Sequence, residues 1–147
     1  MRVYLDTCCL GRPFDDQSDD IVRLETEALA LILQRIQNGE WTWVVSDVLF
    51  RENSRDSQVD RRQDVRSLLE LGSVRIHIEL NDLARAAELH RLGFSVYDLF
   101  HLVAAEKAHC DVLLTTDVKL VRRAARVGNR VRVKVRNPIT WLTEIGQ

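Results

Sequence analysis

The stretch from Ser95 to Asp117 limits what this chain can fold into more than any other. Leu99 to Ala108 is an apolar-rich run, the pattern of a buried helix, and Val112-Leu113-Leu114 follows as a short buried strand. Asp98 sits in the helix's first turn and Asp117 just past the strand's end. In a parallel α/β sheet the helices run back against the strands. A helix start therefore lies at the strands' carboxyl edge. Asp98 and Asp117 are expected to share that edge, where ligand sites of such folds lie. Two carboxylates converging there repel one another, and a divalent cation is the usual remedy.

The rest of the chain supplies more strands and more acids. Arg2 to Leu5 reads as a strand that stops at Asp6. Thr7 to Asp20 carries Gly11, Pro13 and four Asp residues and reads as a loop. Ile21 to Gln37 is amphipathic, with Ile21, Leu24, Ala28, Leu31, Ile32 and Ile36 at helical spacing. Trp41 to Val45 is a second strand, after which Ser46 caps a short helix containing Val48, Leu49 and Glu52. Asn53 to Asp64 is polar and expected to be exposed. Val65 to Leu71 is a helix, Val74 to Ile78 a strand, and Asn81 or Asp82 caps a helix running to Leu92 with Gly93 as its stop. Helix Tyr97 to Ala108 and strand Val112 to Thr115 follow. Val118 to Val127 is a basic helix, Val131 to Val135 alternates as an edge strand would, and a last short helix follows Asn137-Pro138. The order β-α-β-α-α-β-α-α-β-α-β-α predicts a three-layer α/β/α domain with a mainly parallel sheet.

Length and charge set further bounds. At 147 residues and 46% hydrophobic content, residues 1–147 are expected to form a single domain. No apolar run approaches the roughly 20 residues of a membrane span. Met-Arg-Val-Tyr-Leu-Asp has no apolar signal core, so no membrane role and a cytoplasmic location are expected. Cys8, Cys9 and Cys110 follow no zinc spacing and read as reduced, mostly buried thiols. The net charge of −1 hides an asymmetry: Val118 to Arg136 holds eight Lys or Arg and no acid, whereas the first 117 residues hold 13 bases against 21 acids. An acidic pole beside a basic tail suits a polyanionic substrate. A solvated helix and a guarded edge strand account for the same tail equally well.

Four acids now occupy comparable positions: Asp6 after the first strand, Glu52 in the helix after the second, Asp98 at a helix start and Asp117 after the fourth strand. By spacing alone Glu52 is set back from the edge and reads as readily as a surface residue. A carboxylate cluster with no His or Cys partner selects hard cations, Mg²⁺ or Mn²⁺, which activate water and neutralise charge on a phosphodiester. Thr7, Thr115 and Thr116 stand beside these acids, either orienting them or as ordinary strand-end threonines. His101, one turn after Asp98, is expected to be a satisfied, half-buried histidine rather than a ligand. The chain lacks a Walker loop, a Gly-x-Gly-x-x-Gly turn, a Gly-x-Ser-x-Gly elbow and a His-Glu-x-x-His helix. Where a haloacid-dehalogenase-like phosphatase needs a second Asp, two residues after Asp6, this chain has Cys8.

Leu5-Asp6-Thr7, Ser46 with Glu52, Asp98 with His101 and Ala104-Ala105, and Leu114-Thr115-Thr116-Asp117 together resemble the PIN domain, in order and through nearly the whole chain. The resemblance implies a five-stranded parallel sheet and a Mg²⁺- or Mn²⁺-dependent endoribonuclease. It implies Asp6, Glu52, Asp98 and Asp117 as the metal-binding acids, with Asp6 and Asp98 central. Small members of this family are often toxins of toxin–antitoxin pairs and commonly homodimers, so an RNA substrate and an antitoxin protein are the implied partners. The chain departs from the pattern in having Lys119-Leu120 where many members have Asp-Phe, Cys8 in place of an Asn, and a longer loop from Cys8 to Asp16. Arg12 and Lys119 are candidate phosphate contacts. The competing readings are a catalytically weak PIN-like module that binds RNA or protein, and a small-molecule phosphatase.

Overall fold

In a computed structural model, which describes residues 1–146, five parallel strands form one sheet in the order β3-β2-β1-β4-β5. The strands are β1 (Arg2–Leu5), β2 (Thr42–Ser46), β3 (Val74–Ile76), β4 (Val112–Leu114) and β5 (Lys134–Arg136). β1 is central, pairing Val3 with Trp43 of β2 and with Val112 of β4. Val3, Tyr4, Leu5 and all of β4 are fully buried, as strands covered on both faces must be. The chain builds outward from β1 to β2 and β3, then returns to lay β4 and β5 on β1's other side. The strand order therefore reverses between β1 and β4. The crevice beyond their carboxyl ends is where open α/β sheets bind ligands; Asp6 follows directly on β1, and Asp117 comes three residues after the end of β4.

Eight helices flank the sheet among the described residues: α1 (Thr7–Gly11), α2 (Asp20–Gln37), α3 (Asp47–Ser54), α4 (Val59–Leu69), α5 (Leu83–Arg91), α6 (Val96–Lys107), α7 (Val118–Val127) and α8 (Pro138–Ile145). Six of the eight starts are capped by side chains that local sequence supplies, α4 and α5 being the exceptions. Asp19 accepts from the backbone N–H of Ile21 and Val22, Ser46 from Leu49, Ser95 from Asp98, and Asn137 from Ile139. Gly93 stops the turn after α5 with φ +97°, a conformation only glycine adopts without strain.

Four local expectations give way. The predicted loop Thr7 to Asp20 begins with α1 and a 3₁₀ turn at Arg12–Phe14, because Asp6 caps the helix and Cys9 and Leu10 bury themselves in the core. The exposed polar stretch Asn53 to Asp64 is partly helical. α4 starts at Val59, ahead of the predicted Val65. Asn53 is buried and donates from Nδ2 to the Arg62 carbonyl at 2.9 Å. The edge strand forms at Lys134–Arg136, not from Val131, since only those residues are in register with β4. In α2 the core face is Glu25, Ala28, Leu29 and Ile32, while Ile21, Leu24 and Leu31 point to solvent. The apolar stripe is wider than the surface it packs on. Glu25 is accommodated inside because Arg12 and Asn137 both donate to its carboxylate, at 2.8 and 2.6 Å.

Candidate active site

Asp6 leaves β1 buried and enters a set of fixed donors. Its Oδ1 accepts from the Thr7 backbone N–H at 2.7 Å, and its Oδ2 accepts from the Thr115 hydroxyl at 3.0 Å and faces the Cys8 Sγ at 3.4 Å. Thr115 also accepts from the Asp117 backbone N–H at 3.1 Å. One threonine at the end of β4 thus ties together the acids that follow the two strands. Thr7 turns its hydroxyl to the Glu52 carboxylate. Thr116 is buried, and none of the side-chain hydrogen bonds around the acids uses it among the described residues.

Glu52 reaches the same place from α3. Its Oε1 lies 3.1 Å from His101 Nε2, and that nitrogen lies 3.6 Å from Asp6 Oδ1. Ligand atoms of Asp6, Glu52 and His101 all fall within 4.8 Å of one another. The surface-residue reading of Glu52 fails, because two turns of α3 carry it over the edge and not away from it. His101 is satisfied, as expected, but fully buried where half-buried was expected. Its Nδ1 lies 2.7 Å from Tyr4 Oη, which is in turn 2.6 Å from Ser46 Oγ. A chain of polar contacts therefore runs Ser46, Tyr4, His101, Glu52, Thr7, Asp6, Thr115.

The charges respond to this arrangement. Burial works against a charged His101, yet the Glu52 hydrogen bond and the carboxylates of Asp6, Glu52 and Asp98 raise its pKa above the ordinary 6.5. With the imidazolium charged, both ring N–H groups donate: Nε2 to Glu52 and Nδ1 to Tyr4, whose hydroxyl donates onward to Ser46. Burial likewise works against an ionised Glu52, but His101 and the Thr7 hydroxyl hold its pKa below the ordinary 4.5. Asp98 goes the other way. Burial raises its pKa above 3.8, Ser95 offsets part of that, and the charges of Asp6 and Asp117 push it further up. That mutual repulsion is the electrostatic mark of three acids brought to one edge. Asp117 Oδ1 accepts from the backbone N–H groups of Lys119 and Leu120 as the cap of α7, so only its second oxygen is uncommitted.

The donor set suits a hard divalent cation. Asp6 and Glu52 come within ligand distance of one another, while Asp98 and Asp117 lie outside that set and are linked to it through the charges of Asp6 and Asp117 acting on Asp98. Carboxylate oxygens of this kind favour Mg²⁺ or Mn²⁺. His101 is geometrically near enough to be counted as a ligand. Both of its nitrogens are already committed to Tyr4 and Glu52, so it serves as a support for Glu52 and not as a donor to the ion. Sequence reasoning named the four acids but not Tyr4 and His101 as parts of the site. The available signal was Tyr4 itself: a tyrosine in a strand buried on both faces needs a partner for its hydroxyl.

An open cleft of about 410 Å³ adjoins the cluster, lined by Thr7, Cys8, Glu52, Arg12, Arg61 and Tyr97 among others. Arg12 stands on its wall, where it was expected as a phosphate contact, with its guanidinium already engaged by Glu25 and Asp15. Lys119 is exposed in the first turn of α7.

A model of the PIN domain matches residues 3–126. No curated protein sequence matches the chain significantly. Among solved structures, a chain in the crystal structure of VapBC2 from Rickettsia felis bound to a promoter DNA fragment superposes with a TM-score of 0.61 at 15% identity, over 93% of this chain and 98% of that one. A chain of FitAcB from Neisseria gonorrhoeae gives 0.57 at 15% identity, covering 92% and 97%. A chain of VapBC-1 from nontypeable Haemophilus influenzae gives 0.56 at 14% identity, covering 94% and 98%.

Proposed function

This chain belongs to the PIN domain family, and from that premise we propose that it is a Mg²⁺- or Mn²⁺-dependent endoribonuclease, the toxin of a toxin–antitoxin pair. The observation that carries this reading is the convergence of Asp6 and Glu52 to within 4.8 Å, with Asp98 feeling the charges of Asp6 and Asp117. Asp6, Glu52, Asp98 and Asp117 are the residues that would hold the metal. A divalent ion bound there supplies a water of lowered pKa and neutralises charge developing on the phosphodiester.

The chain's own residues prepare that chemistry. Thr7 N–H and the Thr115 hydroxyl fix the plane of the Asp6 carboxylate. His101 keeps Glu52 ionised, and Tyr4 with Ser46 keeps His101 in place. Asp98 presents a carboxyl with fewer protein donors, whose repulsion from Asp6 and Asp117 is relieved when positive charge arrives. The basic segment from Val118 to Arg136 would attract the polyanionic substrate.

The structures named above that contain VapBC and FitAB proteins support an antitoxin as the partner here. No helix of the described residues is long and apolar enough to cross a membrane; a cytoplasmic location belongs to the proposal. A homodimer is part of the same proposal. The test is direct. Purified protein should cleave single-stranded RNA with Mg²⁺ or Mn²⁺ and stop on addition of chelator. Cleavage that persists in chelator overturns the proposal. Salt-sensitive RNA binding without turnover in either metal establishes the non-cleaving module in its place.

A further inference from the structure

A second groove opens beside the acidic cleft, between α3 and α6. It has a volume of about 600 Å³ and is lined by Val48, Ile78, Val96, Tyr97 and Phe100 with Arg51 and Arg55 on its rim. That volume lies in the range of small-ligand pockets, roughly 300–1,000 Å³. Tyr97 and Arg55 line both cavities, so the groove continues the cleft that holds Glu52.

The arginines of the two cavities differ in their partners. Arg12 and Arg61 are neutralised by Glu25, Asp15 and Asp56. Arg51 and Arg55 are exposed, and no carboxylate among the described residues lies in ion-pair reach of either. The groove's single carboxylate, Asp47, is already held by Arg75 and His77. Arg51 lies in the last turn of α3 and Arg55 follows at its C-terminal cap, four residues on, a rise of about 6 Å along the helix axis. Two uncompensated cations above an aromatic floor form the combination that binds single-stranded nucleic acid without reading its sequence. Cations take the phosphates and an aromatic face takes a base.

We propose that this groove binds the nucleotides flanking the cleavage point, with Arg51 and Arg55 on successive phosphates and a base stacked on Tyr97. The proposal rests on the ribonuclease reading for the identity of the strand. A second copy of this chain is the rival occupant. It would bury both guanidinium groups, at a desolvation cost that only acids from the incoming surface offset. Tyr97 thereby acts as a substrate-binding residue adjoining Asp98 on the same helix, and the groove sets the path along which RNA enters.

The test is anisotropy of a fluorescein-labelled oligouridylate titrated with full-length protein in chelator, where no cleavage occurs. Combined Arg51→Ala and Arg55→Ala should weaken binding at least tenfold and flatten the salt dependence by about 1.4 log units per log unit of salt, two single-strand phosphates' worth. Tyr97→Ala should weaken binding about tenfold at unchanged salt dependence, and Tyr97→Phe, which keeps the ring, should bind as the parent does. Unchanged affinity in the double variant overturns the proposal, as does failure of the parent to bind. A sedimentation shift from dimer to monomer in the double variant assigns the groove to a second copy and also overturns it. Binding that follows this pattern in a protein that never cleaves RNA upholds the groove and refutes the ribonuclease reading alone.

Discussion

The two halves of the acidic cluster are built on different physical terms. On the β1–α3 side, Asp6 and Glu52 are met by a threonine N–H, two threonine hydroxyls and a buried imidazole, so the protein itself stabilises their charge. On the α6–α7 side, Asp98 is pushed toward its protonated form by burial and by its neighbours, and Asp117 spends one oxygen as a helix cap. The first half is organised before any ion arrives. The second is held in repulsion and gains most from one. In the proposed reading this division lets a small domain keep four acids at one edge without unfolding: half the charge is compensated internally, and half would be compensated by a bound cation.

The largest effect expected is on catalysis, and there the two halves should look alike. On the proposed reading, Asp6→Asn and Asp98→Asn would each remove one anionic oxygen ligand. Several kcal/mol of metal-borne transition-state stabilisation correspond to a loss of about a thousandfold in RNA cleavage. A gel assay in saturating Mn²⁺ measures it. Near-normal cleavage in Asp98→Asn would show that the open half is not part of the reaction.

Stability in chelator should then separate the halves. Glu52→Gln leaves the His101 imidazolium with a weaker acceptor inside the protein. The expected cost is about 2 kcal/mol, below that of a fully buried pair because a quarter of the Glu52 side chain meets water. Asp98→Asn relieves repulsion and should raise the melting temperature at neutral pH. Thermal unfolding by circular dichroism decides the matter, and shifts of the same sign in both variants would erase the distinction.

Much of this was legible in the chain, and the reason is geometric. Acids placed directly after buried strands, or at a helix start, have their location set by the parallel sheet. Asp6, Asp98 and Asp117 could therefore be placed without knowing the strand order. Glu52 could not, since two turns of helix separate it from Ser46, and only the resemblance to a family argued for it. The contacts that organise the wired half were beyond reach. Tyr4 and His101 stand 97 residues apart, and Tyr4 and Ser46 are 42 apart. Their meeting depends on β1 pairing with β2 and on α6 packing over β2 and β4, the strands on either side of β1. Likewise α2 showed more apolar positions than the sheet could cover, so periodicity named a face that includes exposed Ile21, Leu24 and Leu31.

Tyr4→Phe probes that long-range wiring more gently. The ring and its packing stay, while the hydroxyl between Ser46 and His101 is lost. Burial already holds that hydroxyl far above its ordinary pKa, so it acts as a neutral hydrogen-bonding link. Its removal leaves two buried partners each short of one bond, a loss of about 1.5 kcal/mol. Denaturant unfolding reads it directly. Adding Glu52→Gln to Tyr4→Phe should cost less than the sum, because both changes act through His101. Strict additivity would mean that the two contacts are independent and that no chain of support reaches Glu52.

The smallest expected effect is a pH signature, and it gives the two halves opposite slopes. The folded pKa of His101 is raised, so its contribution is full below pH 6.5 and is lost as pH rises through the folded value. The folded pKa of Glu52 is depressed, so its contribution is full above pH 4.5 and is lost as pH falls through the folded value. The stability difference between the parent and Glu52→Gln in chelator should therefore be greatest between pH 4.5 and 6.5 and shrink on both sides. Asp98 has a raised pKa, so the folded state holds its proton longer than the unfolded chain does. The parent should lose stability relative to Asp98→Asn as pH climbs from 3.8 through the folded value. Melting curves across that range test both halves in one experiment. A flat difference for Glu52→Gln would mean that His101 is neutral in the folded protein, and the wired half would then rest on hydrogen bonds without an ion pair.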